Sequence, residues 1–174
     1  AGGNFTITSQ WVPENAAAQN KGYSHCDMAI MEYVNYKLFV GSDGGISIAN
    51  NPTIVNSNYF TDITEGLGIR QFYKLGISQT NPVIMSGGSQ DNGTSVYRSN
   101  GIWYDWLGAD GMETFIDKNN SNILYGTSQY GGLYKSINTG TSYIGINSPE
   151  DKSGDWVTPF EQDPLLANTI YTGY

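Results

Sequence analysis

Two stretches of this chain carry the same spaced signature. Asp117-Lys-Asn-Asn-Ser-Asn122-Ile-Leu-Tyr125 and Asp163-Pro-Leu-Leu-Ala-Asn168-Thr-Ile-Tyr171 both read D-x4-N-x2-Y, offset by 46 residues. Lys37-Leu-Phe-Val-Gly-Ser-Asp-Gly-Gly-Ile-Ser47 is echoed by Ile123-Leu-Tyr-Gly-Thr-Ser-Gln-Tyr-Gly-Gly-Leu133, and Val83-Ile-Met-Ser-Gly-Gly-Ser-Gln-Asp-Asn-Gly93 is a third copy. Each unit consists of short runs of Ile, Val, Tyr and Phe broken by Gly, Asn, Asp and Pro, the punctuation of strands and turns. A repeat of 40–46 residues built from several short strands points to the blades of a β-propeller. Segments of 3.6-residue period are absent, and the one helix-friendly stretch, Glu14–Gln19, is too short to stand alone.

The expected fold is therefore all-β, with four-stranded antiparallel blades whose strands run from A, innermost, to D. Residues 1–20 complete a preceding blade or act as a linker, and residues 21–174 form the blades. Blade one places its strands at Asp27–Tyr33, Leu38–Ser42, Gly45–Ala49 and Tyr59–Ile63. Blade two uses Gln71–Ser78, Val83–Gly88, Thr94–Arg98 and Ile102–Leu107. Blade three uses Met112–Asp117, Ile123–Ser128, Gly132–Ile137 and Ser142–Ile146. A fourth begins with Trp156–Gln162 and Thr169–Tyr174. A closed propeller needs roughly 4–8 blades, so about three and a half imply a partial propeller. The rest is expected from further chain or from a partner chain covering the open flanks.

Charge narrows the partners. Eight Lys and Arg against sixteen Asp and Glu give a net charge of -8, which argues against nucleic acid, whose phosphates need clustered cations. The best apolar run, Met28–Met31, is far short of a membrane span. The opening Ala1-Gly-Gly-Asn has neither a basic nor an apolar leader region, so any signal peptide is expected to be gone already. The single cysteine, Cys26, excludes an internal disulfide and reads as a small buried apolar residue. A nucleophilic pair with His25 is disfavoured, because neighbours in a strand point to opposite faces.

In chain order, the strings Ser24-His-Cys-Asp27, Phe39-Val-Gly-Ser-Asp-Gly-Gly-Ile46, Gly66-Leu-Gly-Ile-Arg-Gln-Phe-Tyr73, Gly87-Gly-Ser-Gln-Asp-Asn-Gly-Thr94, Gly108-Ala-Asp-Gly-Met112 and Gly154-Asp-Trp-Val-Thr-Pro-Phe160 resemble the sialidase-like, sortilin-type Asp-box propellers, especially the large secreted bacterial forms that often end in a type IX secretion sorting domain. The resemblance covers residues 21–174. It departs at Ala29, where the family usually has a second histidine, and Ser136-Ile-Asn-Thr-Gly-Thr-Ser-Tyr143 is a degenerate Asp-box. It implies a secreted or cell-surface protein that binds polysaccharide or protein.

The A–D order puts each B–C hairpin on the same rim as the loop preceding each strand A. Asp43, Gln90, Asp91, Asn92, Asp110, Tyr130 and Trp156 fall in these loops and are the candidate ligand-binding residues. Asp43, Asp91 and Asp110 are expected to converge on one acidic mouth suited to sugar hydroxyls, cationic groups or a structural calcium ion. The competing reading is local: Asp and Asn close hairpins and cap strand ends. Gly44 and Gly93 are expected at positive φ in such hairpins. Among enzymes, a sialidase lacks its arginine cluster, since only Arg70 and Arg98 are present, and a two-metal hydrolase lacks histidines. A glycoside hydrolase with paired carboxylates, with Trp103, Trp106 and Trp156 stacking on sugar, stays open. So does a purely structural scaffold in a large secreted protein.

Overall fold

The structure, a computed structural model, describes residues 3–147, 152–166 and 168–174. Ala1 and Gly2 of the amino terminus and Ala167 of the second repeat lie outside the described residues. The fold is nearly all-β, with 39% strand and 5% helix. The chain divides into two compact units, Ala1–Ile69 and Arg70–Tyr174.

In the first unit β1 (Ser9–Gln10) pairs in parallel with β2 (Gly22–Tyr23) across the helix α1 (Pro13–Ala18). A helix of six residues is too short to stand alone. It forms because Pro13 presets the first helical turn, Ala16 is buried, and the closing Gln19 and Asn20 amides bond back to the helix. Strands β3 (Met28–Val34), β4 (Lys37–Ser42), β5 (Gly45–Ala49) and β6 (Thr61–Asp62) then form an antiparallel meander in sequence order. The β3–β4 turn is Asn35-Tyr36, both at positive φ (48° and 64°), which is the twist a two-residue hairpin requires. All of β3 is exposed, including Ile30, Met31 and Tyr33.

The second unit repeats the meander twice. Its strands β7 (Lys74–Ile77), β8 (Met85–Gly88), β9 (Thr94–Tyr97) and β10 (Trp103–Leu107) make one sheet. The next sheet is β11 (Gly111–Ile116), β12 (Leu124–Ser128), β13 (Gly132–Ser136) and β14 (Ile144–Gly145). A final hairpin joins β15 (Phe160–Gln162) to β16 (Ile170–Thr172). The sheets stack face to face. Val96, Trp106 and Leu107 of the first pack on Ile116 and Leu124 of the second, whose other face presents Tyr125 and Leu133 to Phe160 of the hairpin.

The D-x4-N-x2-Y repeat has one physical meaning in both copies. The Asp117 Oδ1 accepts the amides of Asn119 and Asn120 at 2.9 and 3.0 Å. Asp163 Oδ1 accepts those of Leu165 and Leu166, both at 2.7 Å. The Asp117 and Asp163 amides donate to Ile123 and Thr169 oxygens, both at 2.9 Å. The signature is an Asx turn closing the hairpin between the first two strands of a sheet.

The turn at Asn138 joins β13 to β14, as its residues suggest. Its Oδ1 accepts the Ser142 amide at 2.9 Å, and the buried Ser136 hydroxyl accepts the Gly140 amide at 2.9 Å. Gly140, at φ 78°, lies so close to Trp106 that a Cβ there would meet the Trp106 Cβ at 2.8 Å. This turn is packed into the fold, remote in the topology from the β12–β13 hairpin at the other end of its sheet.

The first strands of successive sheets are tied by charge. Lys74 Nζ of β7 lies 3.0 Å from Glu113 of β11 and 2.5 Å from Glu161 of β15. Desolvation pulls the Lys74 pKa down, but hydrogen bonds and attraction from Glu161 and Glu113 outweigh it and leave the pKa raised. The stabilisation is therefore complete below the unfolded lysine pKa, near 10.4, and is lost as pH rises through the folded value. Lys74→Met is expected to lower stability at pH 7 by about 1–2 kcal/mol, between the exposed and buried limits for such pairs. Urea unfolding from pH 7 to 11.5 checks this: the wild type should lose its advantage over the variant at the alkaline end.

Candidate functional site

In the second unit the loops expected to share a rim do meet. The β8–β9 hairpin (residues 89–93), the β10–β11 loop (108–110), the β12–β13 turn (129–131) and the segment before β15 (154–156) are linked by hydrogen bonds. The Asp91 amide donates to Asp110 Oδ1 at 2.8 Å, and the Asp110 amide donates to Gln129 Oε1 at 3.3 Å. The Gly154 amide reaches the Tyr130 oxygen at 3.0 Å. The first and last links each join one sheet to the next, and the Asp110–Gln129 bond ties the loop before β11 to the β12–β13 turn of the same sheet, so the same end of three successive sheets is linked.

Aromatic side chains occupy that surface. Tyr73 OH donates to Gln90 Oε1 at 2.5 Å and accepts the Trp156 Nε1–H at 3.3 Å. Tyr130 meets Trp156 edge to face, with ring centroids 5.4 Å apart. Tyr73 and Tyr130 remain about half exposed, at 45% and 55%. The Gln90 oxygen is engaged, so its NH2 is the donating end. The Tyr130 backbone is held at φ 60°, ψ 24°, a conformation uncommon outside glycine. It is braced by Gly131, whose carbonyl accepts from Asn147 Nδ2 at 2.8 Å and Tyr174 OH at 3.0 Å. The result is a shelf of three rings and an amide on a braced support. No family model, characterised protein or solved structure matches this chain.

Six of the seven sequence candidates thus lie on this rim: Gln90, Asp91, Asn92, Asp110, Tyr130 and Trp156. They divide by role. Gln90, Tyr130 and Trp156 present side chains on the shelf. Asp110 spends one carboxylate oxygen on the Asp91 amide, and Asn92 Nδ2 donates to the Gln90 carbonyl at 3.1 Å, so both shape the hairpin. Asp91 itself sits at φ 59°, where Asp is tolerated better than most residues. Asp43 belongs to the first unit, exposed in the β4–β5 hairpin. Within neither unit alone do three carboxylate, His or Cys ligand atoms converge among the described residues, so the calcium expectation gains no support there.

Tyr73 was not singled out for the site. The expected strand Gln71–Ser78 places Tyr73, like Phe72, inside the sheet. Phe72 does stack on Trp103, with centroids 5.7 Å apart. Tyr73, however, precedes the first residue of β7 and projects beyond the sheet. Alternation from Phe72 was the available signal.

Three further expectations are corrected. Gly44 is not among the residues at positive φ; that conformation falls on Gly45 (φ 119°), so the left-handed residue follows the Asp43-Gly44 turn. Gly44 is crowded for another reason, since a Cβ there would lie 2.4 Å from His25 Cγ. Cys26 is half-buried rather than buried. It lies in a loop, not a strand, so its Sγ comes within 3.7 Å of His25 Nδ1. That nitrogen also lies 3.2 Å from the Cys26 carbonyl.

The two arginines are structural. Arg70 donates to Asn92 O at 2.6 Å, to Asp105 and to the Ser95 hydroxyl. Arg98 holds the Thr139 carbonyl at 3.0 Å and stacks on Tyr104. Neither is grouped with another cation for a sialidase-type carboxylate clamp. No helix among the described residues is long and apolar enough to cross a membrane.

Proposed function

We propose that the chain is part of a secreted, Asp-box-type β-propeller and that the hairpin rim of its second unit binds polysaccharide. The observation that carries the reading is the Tyr73–Gln90–Trp156–Tyr130 shelf. Exposed aromatic rings with one hydrogen-bonding edge suit a ligand with an apolar C–H face and polar hydroxyls, and the Gln90 NH2 supplies a neutral donor. The propeller reading is supported by repeated meanders, their face-to-face stacking and the Lys74 link between successive first strands. The exposed apolar strand β3 supports a larger assembly in which further chain or a partner covers it.

The geometry favours binding over hydrolysis. A hydrolase needs one carboxylate protonated and a second ionised across the scissile bond, whereas Asp110 is committed to the Asp91 amide. Trp156→Ala is expected to weaken binding of a soluble glucan, mannan or xylan by about tenfold or more, the effect of removing a central aromatic anchor. Affinity electrophoresis with each polysaccharide measures this, alongside reducing-sugar release. Equal retardation of wild type and variant in every gel would remove the shelf from the proposal. Release of reducing ends that is lost in Asp110→Asn would replace binding with hydrolysis.

A further inference from the structure

A second cleft, entirely within the first unit, encloses about 130 Å3. Its floor follows from strand alternation. Ser47 of β5 pairs across the sheet with Asp62 of β6, so the two side chains share a face. Phe60 and Thr64, two residues either side of Asp62, line the same cleft, and Ser57 and Tyr23 of β2 close it. The space exists because Gly45, two residues before Ser47, has no side chain: a Cβ there would stand 2.1 Å from Thr64 Oγ1.

The lining restricts what fits. The cleft is slightly smaller than an engineered cavity of about 150 Å3 that encloses benzene, and Ser57 and Asp62 at its edge are exposed, so a six-membered ring seats in it with part of its substituents in solvent. Ser47 and Ser57 both line the cleft, and each brings a hydroxyl that can donate to and accept from a ligand. Hydrogen bonds from the Thr64 hydroxyl and amide hold the Asp62 carboxyl below the usual carboxylate range, so the cleft carries a negative charge that repels anions. No lysine or arginine lines it, and the His25 ring and the Ser42 hydroxyl complete its wall. The Asp62 carboxylate, already accepting the Thr64 amide at 2.8 Å, has lone pairs left to accept from the hydroxyls of a ligand. Phe60 and Tyr23 add apolar ring faces.

We propose that this cleft binds a single neutral pyranose ring, with Ser47, Ser57 and Asp62 exchanging hydrogen bonds with its hydroxyls and Phe60 packing on its C–H face. The site is separate from the aromatic shelf and does not depend on it. The test is NMR titration of the full 174-residue chain with the methyl glycosides of glucose, galactose and mannose, with agmatine and inorganic phosphate as charged probes. Saturable shifts of the Ser47, Ser57, Asp62 and Thr64 amides are expected with at least one glycoside, at a Kd on the order of 1–10 mM for so small a ligand. Ser47→Ala combined with Ser57→Ala should weaken it at least about tenfold, the equivalent of a lost pair of hydrogen bonds. Asp62→Asn, which keeps the shape, should weaken it severalfold. Trp156→Ala should leave these shifts unchanged, which separates this site from the shelf. The inference is overturned by the absence of saturation with all three glycosides up to about 100 mM, by unaltered binding in both hydroxyl and carboxylate variants, or by tighter binding of agmatine or phosphate than of any sugar.

Discussion

Gly93→Ala is expected to destabilise the second unit by about 3 kcal/mol. Positive φ costs a non-glycine residue about 1–2 kcal/mol, and Gly93 sits at φ 62°. The larger problem is space. A Cβ at this position would lie 2.2 Å from the Leu107 carbonyl oxygen, a backbone atom of the neighbouring strand that cannot swing away, and overpacking of this kind costs about 1–3 kcal/mol more. The Gly93 amide also donates to Ala109 O at 3.0 Å, so a shift of the hairpin breaks the link to the β10–β11 loop. The melting temperature should fall by roughly 10–20 °C for a unit of this size. A scanning-calorimetry shift under about 3 °C would mean that the β8–β9 hairpin does not pack against β10 as described.

Trp106→Ala should be at least as costly, about 3–5 kcal/mol. Trp106 is 4% exposed and lies between two stacked sheets. Its Nε1–H donates to Ser86 Oγ at 3.2 Å, and its ring lies against Gly126 and Gly140, which leave room for it. The tightness of those contacts limits how far the sheets can close over the cavity. Trp106→Phe keeps most of the packing, and Ser86 retains a second partner in Thr114 Oγ1 at 2.8 Å, so it should cost only about 1–2 kcal/mol. Urea denaturation of the two variants checks the order. Equal, small losses would contradict a core between the sheets.

Much of this architecture was legible because the chain punctuates itself. Strand β5 was expected at Gly45–Ala49 and spans those residues. The two copies of D-x4-N-x2-Y mark the same Asx turn, and Trp106 falls in the core with Trp103 on the other face, as alternation requires. The outermost strands were drawn too long. Tyr59–Ile63 and Ser142–Ile146 shrink to Thr61–Asp62 and Ile144–Gly145, because an edge strand is held by one neighbour and pairs only where that neighbour offers bonds.

The site was legible to the level of loops, not of roles. Counting turns placed Gln90, Asp110, Tyr130 and Trp156 at one end of their sheets. It could not show that Asp110 is spent on the Asp91 amide, because an aspartate that braces a hairpin and one that meets a ligand share the same spelling. Tyr73 was missed because its strand begins at Lys74, three residues after the expected start at Gln71, which leaves Tyr73 in the stretch before the sheet rather than inside it. Gly44 was misjudged because the left-handed conformation of a Gly-Gly pair can fall on either member, and the crowding by His25 comes from a distant loop.

The rim is tested most directly through the indole N–H resonances of the chain's four tryptophans. Trp156 donates from the shelf to Tyr73 at 3.3 Å, while Trp106 donates inside the core to Ser86 at 3.2 Å. Titration of the isotope-labelled chain with oligosaccharides of the polysaccharide retained in gels should move the Trp156 indole signal in a saturable way. The Trp106 signal should stay fixed, and the Trp156 response should vanish in Gln90→Ala combined with Tyr130→Ala. A Trp156 signal that stays in place while the protein binds glycan, or that moves together with Trp106 as the fold loosens, would contradict a ligand site on the hairpin rim.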